Sequence, residues 1–169
     1  MKRIDGIVQI IPTPFHSNRQ HSNFCRAKLE EPLMADKVIA IRERIGSRAG
    51  ILEGWGGMYL LELMPHRICG VMPGVPLIEL PAMAYGLRKS GRNAETVQLN
   101  GTVSPFISFT LQNLEVFWHA EKRLPAMRGL LESPPVRNST CTLSDRNAEY
   151  ANLLCEQVLD VIEKAGNSY

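Results

Sequence analysis

The sequence lacks a marked excess of charge of either sign. Its 19 basic and 17 acidic residues are interspersed and leave a net charge of +2. Proteins that bind nucleic acid or an anionic membrane surface need a concentrated basic face. The composition therefore predicts neither a nucleic-acid partner nor a membrane partner.

Long hydrophobic runs are also missing. The apolar run at residues 7–11 is too short for the core of a secretion signal and ends at Pro12. No stretch approaches the roughly 18–20 apolar residues of a membrane helix. The four cysteines are far apart and form no CxxC pair. We therefore expect a cytoplasmic protein with four reduced thiols.

Short apolar segments that suit buried strands alternate with helical patterns. The strand candidates are residues 7–11, 51–52 and 68–72. Between them, Val38, Ile41 and Ile45 form an apolar stripe that predicts a helix ending at Gly46. Strands that alternate with helices are typical of parallel βα units.

Most of the remaining chain is predicted to be helical. Residues 58–64 suit a short buried helix ended by a proline, and residues 77–87 a helix that closes at Gly91. Apolar residues at 103–118 predict one long helix that continues toward Lys122. Ser144 is a good N-cap for a last helix that ends at Gly166.

Four segments resemble the dihydrodipicolinate synthase / N-acetylneuraminate lyase family of class I, Schiff-base-forming aldolases. GIVQIIPTPF (6–15) resembles its first strand and opening loop. KLEEPLMADKVIAIRERIG (28–46) and GWGGMYLLELMPHRICGVMPG (54–74) resemble the region from strand six to strand eight. LQNLEVFWHAEKRLPAMRGLL (111–131) resembles its C-terminal helical region. The resemblance implies an α/β fold, a partial, truncated TIM (β/α)8 barrel with strand 1, strands 6–8 and a C-terminal helical region.

The resemblance also implies one truncated domain over residues 1–169. Its parts are the first strand and loop (1–15), a deletion junction (16–23), strands 6–8 with their helices (24–91) and C-terminal helices (92–169). Strands two to five of the family have no counterpart here. The missing portion includes the family's loop for the substrate carboxylate and a proton-relaying tyrosine.

In the family, a lysine that closes strand six forms the Schiff base, and Lys28 occupies that position. A backbone carbonyl on strand eight contacts the bound 2-oxo acid, and Cys69, followed by Gly70, is the matching substrate-binding position. A competing alignment makes the segment around Lys28 the start of the family's first helix and Lys28 a surface residue. We prefer the strand-six alignment because the match continues through Gly46 and beyond.

The resemblance implies a lyase or aldolase that captures pyruvate or another 2-oxo acid on Lys28 and condenses it with an aldehyde or cleaves the reverse product. A neutral amine is required, so Lys28 must face the barrel mouth, shielded from water. No cofactor or metal is implied, and a folded half-barrel is expected to form a homo-oligomer. The alternative is a catalytically inactive remnant of such an enzyme after internal deletion.

Other candidate residues have two interpretations each. Glu30 and Glu31 either line the pocket or form an exposed loop. The glycine-rich segment 54–57 either cradles an anion or makes a tight strand-to-helix turn. His119 is either a catalytic base or a packing residue of its helix.

Overall fold

The computed structural model describes residues 25–30, 35–137 and 139–166. Within these ranges, three short strands lie among six α-helices. The strands are β1 (Arg26–Leu29), β2 (Gly50–Glu53) and β3 (Gly70–Val71). The helices are α1 (Ala35–Ile45), α2 (Leu60–Leu63), α3 (Glu79–Lys89), α4 (Asn93–Thr110), α5 (Leu114–Met127) and α6 (Asp145–Gly166). Two 3-10 turns, Met64–His66 and Val75–Leu77, follow α2 and precede α3.

The strands form one parallel sheet in the order β1-β2-β3. Lys28 lies opposite Leu52 in the pairing of β1 with β2, and Leu52 lies opposite Gly70 in the pairing of β2 with β3. A helix connects each pair of consecutive strands, which is the predicted βα arrangement. The predicted first strand at residues 7–11 and the junction at 16–23 lie outside the described residues.

Helix α1 covers one face of the sheet. Its Val38, Ile41 and Ile45 are buried together with Leu29 and Ile51 of the strands. Side chains alternate between the two faces of a strand, so Lys28, Leu52 and Gly70 belong to the face opposite α1. In a βα barrel the helices lie outside, and this opposite face is the interior.

The other helices share a second apolar core. Phe106 of α4, Leu124 of α5 and Val158 of α6 are among its fully buried members. Phe109 and Tyr150 add an edge-to-face ring contact between α4 and α6, with centroids 5.5 Å apart. These helices form a layer beside the small sheet.

Several predicted helix ends are confirmed. Helix α1 ends at Ile45, and Gly46 follows with a left-handed φ of +59°. Ser144 precedes α6, and its hydroxyl oxygen accepts a hydrogen bond from the Asn147 N–H at 3.3 Å. Gly91 likewise has a positive φ after α3.

The prediction of one long helix from residue 103 to Lys122 is wrong. The segment is divided into α4, which ends at Thr110, and α5, which begins at Leu114. Asn113 between them has an extended backbone, and its side-chain oxygen accepts the Val116 N–H at 2.9 Å. This N-cap starts a new helix, although the apolar spacing continues across the break.

The remaining predictions concern the cysteines, membrane-spanning helices and metal ligands. Cys25, Cys69, Cys141 and Cys155 are all free thiols. In the described part of the chain, every helix is too short or too polar to span a bilayer. Within the same residues, no three His, Cys, Asp or Glu side chains cluster as metal ligands would.

Candidate functional site

Lys28 lies on a strand and not at the start of a helix. It is the third residue of β1, at the carboxyl end of a parallel strand, as the strand-six alignment predicts. Its side chain is 36% exposed, and its Nζ lies 2.5 Å from Oε2 of Glu30. The amine is therefore only partly sheltered and has an anionic partner.

Gly54 makes room for the lysine side chain. A Cβ at this position would lie 2.8 Å from Cε and 2.9 Å from Cγ of Lys28, and 2.3 Å from the carbonyl oxygen of Leu29. The aliphatic part of Lys28 thus passes over the backbone of Gly54, directly after β2. The glycine-rich segment therefore helps to position the amine.

We expect Gly54→Ala to destabilise the fold by about 1–3 kcal/mol, because the added methyl group overlaps a backbone carbonyl and the lysine stem. Urea unfolding measures this change. Gly86→Ala is the matched control, since Gly86 lies within α3 and an added Cβ would meet no atom within 4 Å. The control should be neutral or stabilising by up to about 1 kcal/mol. Equal stability of the two variants would contradict the close packing of Lys28 on Gly54.

Glu53 organises the turn that follows β2. Its side chain is 0% exposed, and its two carboxylate oxygens accept the N–H groups of Trp55 at 3.0 Å and Gly57 at 2.8 Å. Burial raises the pKa of Glu53, and these backbone hydrogen bonds oppose that rise. The turn has positive φ values of 70° at Gly56 and 88° at Gly57. Its amides thus bind an internal carboxylate, which supports the interpretation as a tight turn.

The predicted carbonyl-binding pair lies across the sheet from Lys28. Gly70 is in the same row as Lys28, with Leu52 between them, and a Cβ at Gly70 would meet Leu52 Cδ2 at 3.2 Å. Two strand spacings separate Lys28 from Gly70, about 10 Å. Cys69 is exposed, immediately precedes β3, and donates its backbone N–H to the Ile51 carbonyl at 2.8 Å. Its thiol lies above Gly50, at the amino end of β2.

The ring of His119, another candidate residue, forms hydrogen bonds within the protein. Nε2 of His119 lies 2.8 Å from the Cys141 carbonyl oxygen and 3.1 Å from the Ser139 hydroxyl oxygen, so this ring tethers the segment before α6 to α5. Glu31 lies outside the described residues. A groove of about 570 Å³ between α3, α4 and α6 contains none of the predicted site residues.

The sequence analysis did not identify the role of Glu53. An acidic residue between a strand and a glycine-rich segment is a usable signal, because such a carboxylate can accept the free amides of the turn. Its burial could not be inferred from that pattern. The contact of Lys28 with Glu30 was also not predicted, although both residues point to the same side at the end of one strand.

The fold and this site define part of a βα barrel with a lysine at the carboxyl end of a strand. Comparison with solved structures finds proteins with a similar fold. A dihydrodipicolinate synthase from Rhodopseudomonas palustris is 26% identical, with a TM-score of 0.68 over 78% of this chain and 45% of that one. The predicted resemblance to the dihydrodipicolinate synthase family is thereby confirmed.

Two further structures have the same fold. The 4-hydroxy-tetrahydrodipicolinate synthase from Methylacidiphilum fumariolicum SolV is 19% identical, with a TM-score of 0.68 over 90% of this chain and 50% of that one. A Pseudomonas aeruginosa structure, provisionally assigned as a dihydrodipicolinate synthetase, is 17% identical, with a TM-score of 0.66 over 85% and 49%. The chain therefore spans about half the length of each structure. No family model and no curated protein matches it.

Proposed function

We propose that this chain is a class I lyase or aldolase in which Lys28 forms a Schiff base with pyruvate or another 2-oxo acid. The observation that carries the proposal is the location of Lys28 at the carboxyl end of a parallel strand, on the sheet face opposite α1. Active sites of βα barrels lie at this end of the strands. The likeness to a dihydrodipicolinate synthase at 26% identity agrees with this chemistry.

The proposed reaction uses the lysine as a nucleophile and the imine formed from it as an electron sink. The neutral amine attacks the ketone to give a carbinolamine, and protonation of its hydroxyl group followed by loss of water leaves a protonated imine. The imine stabilises the carbanion formed when C3 loses a proton or when a carbon–carbon bond breaks. The backbone at Cys69 and Gly70 is proposed to contact the 2-oxo acid. No cofactor enters these steps, and the cytoplasmic location remains a prediction.

We further propose that the active form is a homo-oligomer and that the strands correspond to strands six to eight of the family, with strand one at residues 7–11. The outer strands β1 and β3 have no other strand partner within the described residues. Unpaired strand edges favour association with another chain. Four strands from each of two copies would complete eight.

The competing proposal is an inactive remnant of such an enzyme. It is favoured by the half-length match to all three solved structures and by the partial exposure of Lys28. Both observations concern catalytic activity, and neither argues against the fold described above. A chemical test of the amine separates the two proposals.

We expect pyruvate followed by borohydride to leave a reduced adduct on Lys28, located by peptide mass spectrometry. Lys28→Ala should lose the adduct because the nucleophile is gone. Lys89→Ala is the matched control, since Lys89 is an exposed lysine in the last turn of α3, and it should keep the adduct. Absence of an adduct with pyruvate and related 2-oxo acids, or equal labelling of exposed lysines, would support the remnant.

A further inference from the structure

The carboxylate of Glu30 faces the proposed nucleophile directly. Glu30 immediately follows β1, and its Oε2 lies 2.5 Å from Nζ of Lys28. Residues two apart along a strand point to the same side, so this contact follows from the extended chain. The Glu30 side chain is 62% exposed, which leaves it accessible to a substrate that approaches the carboxyl end of the strands.

Schiff-base formation requires a group that accepts and returns protons. The lysine must lose a proton before it attacks, and the carbinolamine oxygen must gain one before it leaves as water. Glu53, another carboxylate near the carboxyl end of the sheet, already uses both oxygens to accept amides of its own turn. The Cys69 thiol lies over Gly50, toward the amino end. Glu30 is therefore the better placed group.

We propose that Glu30 is a further catalytic residue, which accepts the proton of the Lys28 ammonium and later donates it to the departing carbinolamine oxygen. This role rests on the proposed Schiff-base function. Without this role, Glu30 would only form a surface ion pair with Lys28, and a surface ion pair contributes little to stability.

The proposed steps balance in atoms and charge. The ammonium of Lys28 transfers one proton to the Glu30 carboxylate, which leaves a neutral amine and a carboxylic acid. The amine attacks the ketone carbon, and a proton moves from nitrogen to the new alkoxide to give a neutral carbinolamine. The Glu30 carboxylic acid then protonates the hydroxyl group as the C–O bond breaks. The products are water, the protonated imine and the regenerated carboxylate.

A purely electrostatic role for Glu30 predicts the opposite kinetic effect. A neighbouring carboxylate stabilises the charged form of an amine. If Glu30 only held the ammonium, its neutralisation would release the amine and accelerate capture of the ketone. If Glu30 transfers protons, its neutralisation slows capture. The sign of the change thus separates the two roles.

The experiment measures the initial rate of borohydride-trapped pyruvate adduct on Lys28 at neutral pH. Glu30→Gln is expected to lower the rate about 100-fold, the lower end of the effect of a general acid–base group. Glu43→Gln is the matched control, because Glu43 is an exposed residue of α1, and it should react at the wild-type rate. Thermal unfolding of each variant verifies that the fold is retained.

Chemical rescue provides a second readout. Glu30→Ala removes the side chain, and added acetate should restore part of the trapping rate because a free carboxylate can take over the proton transfers. Acetate should not accelerate the wild type or Lys28→Ala. A structural role for Glu30 would show no such rescue.

The outcomes separate this proposal from the one on which it rests. A wild-type adduct on Lys28 together with an equal or faster rate in Glu30→Gln overturns the role of Glu30 and leaves the Schiff-base function standing. Absence of any wild-type adduct on Lys28 overturns both. A slow Glu30→Gln variant with acetate rescue of Glu30→Ala supports both.

Discussion

Replacing Glu53 with alanine is expected to destabilise the protein by about 2–4 kcal/mol. The carboxylate accepts hydrogen bonds from the N–H groups of Trp55 and Gly57 in a site where Glu53 is fully buried. Each buried donor that loses its acceptor costs about 1–3 kcal/mol. Urea unfolding monitored by circular dichroism gives the change in the free energy of unfolding.

Two companion variants sharpen the test of Glu53. Glu53→Gln keeps the volume and one acceptor oxygen, but its amide nitrogen would face a backbone donor, so the loss should be smaller than in Glu53→Ala. Glu62→Ala is the control, because Glu62 is an exposed glutamate on the neighbouring α2, and its effect should stay within about 0.5 kcal/mol. A Glu53→Ala variant as stable as Glu62→Ala would show that the turn does not depend on the carboxylate.

The second large effect is a fall in stability as the pH rises from about 5 to 8, caused by Glu121. This α5 residue is 8% exposed, and its Oε2 is buried with no hydrogen-bond partner among the described residues. The carboxyl group lies against Gly74, where a Cβ would be only 1.8 Å from Oε2. Burial raises the pKa of Glu121 from 4.5 to about 7.

The direction follows from the protons bound in each state. Between pH 4.5 and about 7 the folded protein holds a proton on Glu121 that the unfolded chain has lost. The contribution is therefore fully present below pH 4.5 and is lost as the pH rises through 7. A change from 4.5 to about 7 corresponds to about 3 kcal/mol.

The other groups whose pKa values are shifted do not reverse this dependence. Cys155 of α6 interacts with Glu121, and burial raises the pKa of its thiol to about 12, outside the interval. Burial also raises the pKa of Glu53, which adds a slope of the same sign. Hydrogen bonds from Cys141 and Thr140 hold the pKa of Glu115 at about 2, so it titrates below the interval.

The measurement is urea unfolding at several pH values between 5 and 8. Glu121→Gln should be more stable than the wild type at pH 8 and should lose most of the pH dependence, because its amide cannot ionise. Glu163→Gln, at an exposed position of α6, is the matched control and should keep the wild-type slope. Identical slopes in Glu121→Gln and the wild type would exclude Glu121 as the titrating group.

Local patterns in the sequence determined much of the described fold. The apolar stripe of Val38, Ile41 and Ile45 predicted α1, and Gly46 marked its end. The apolar pair Ile51 and Leu52 became the middle of β2. Such features depend on backbone geometry and on burial of one face, which neighbouring residues specify. The same reasoning missed the break at Asn113, because apolar spacing does not reveal which polar side chain caps a helix.

The sequence by itself determined the positions of β2 and β3, several helix ends and the motif that contains Lys28. Only the tertiary structure decided how sheltered that lysine is, which atoms surround it and which carboxylates are buried. Lys28 and Gly54 are 26 residues apart, and Gly74 and Glu121 are 47 apart, yet each pair is in contact. Burial and ion pairing depend on contacts between distant segments, and these form only when the helices and strands pack together.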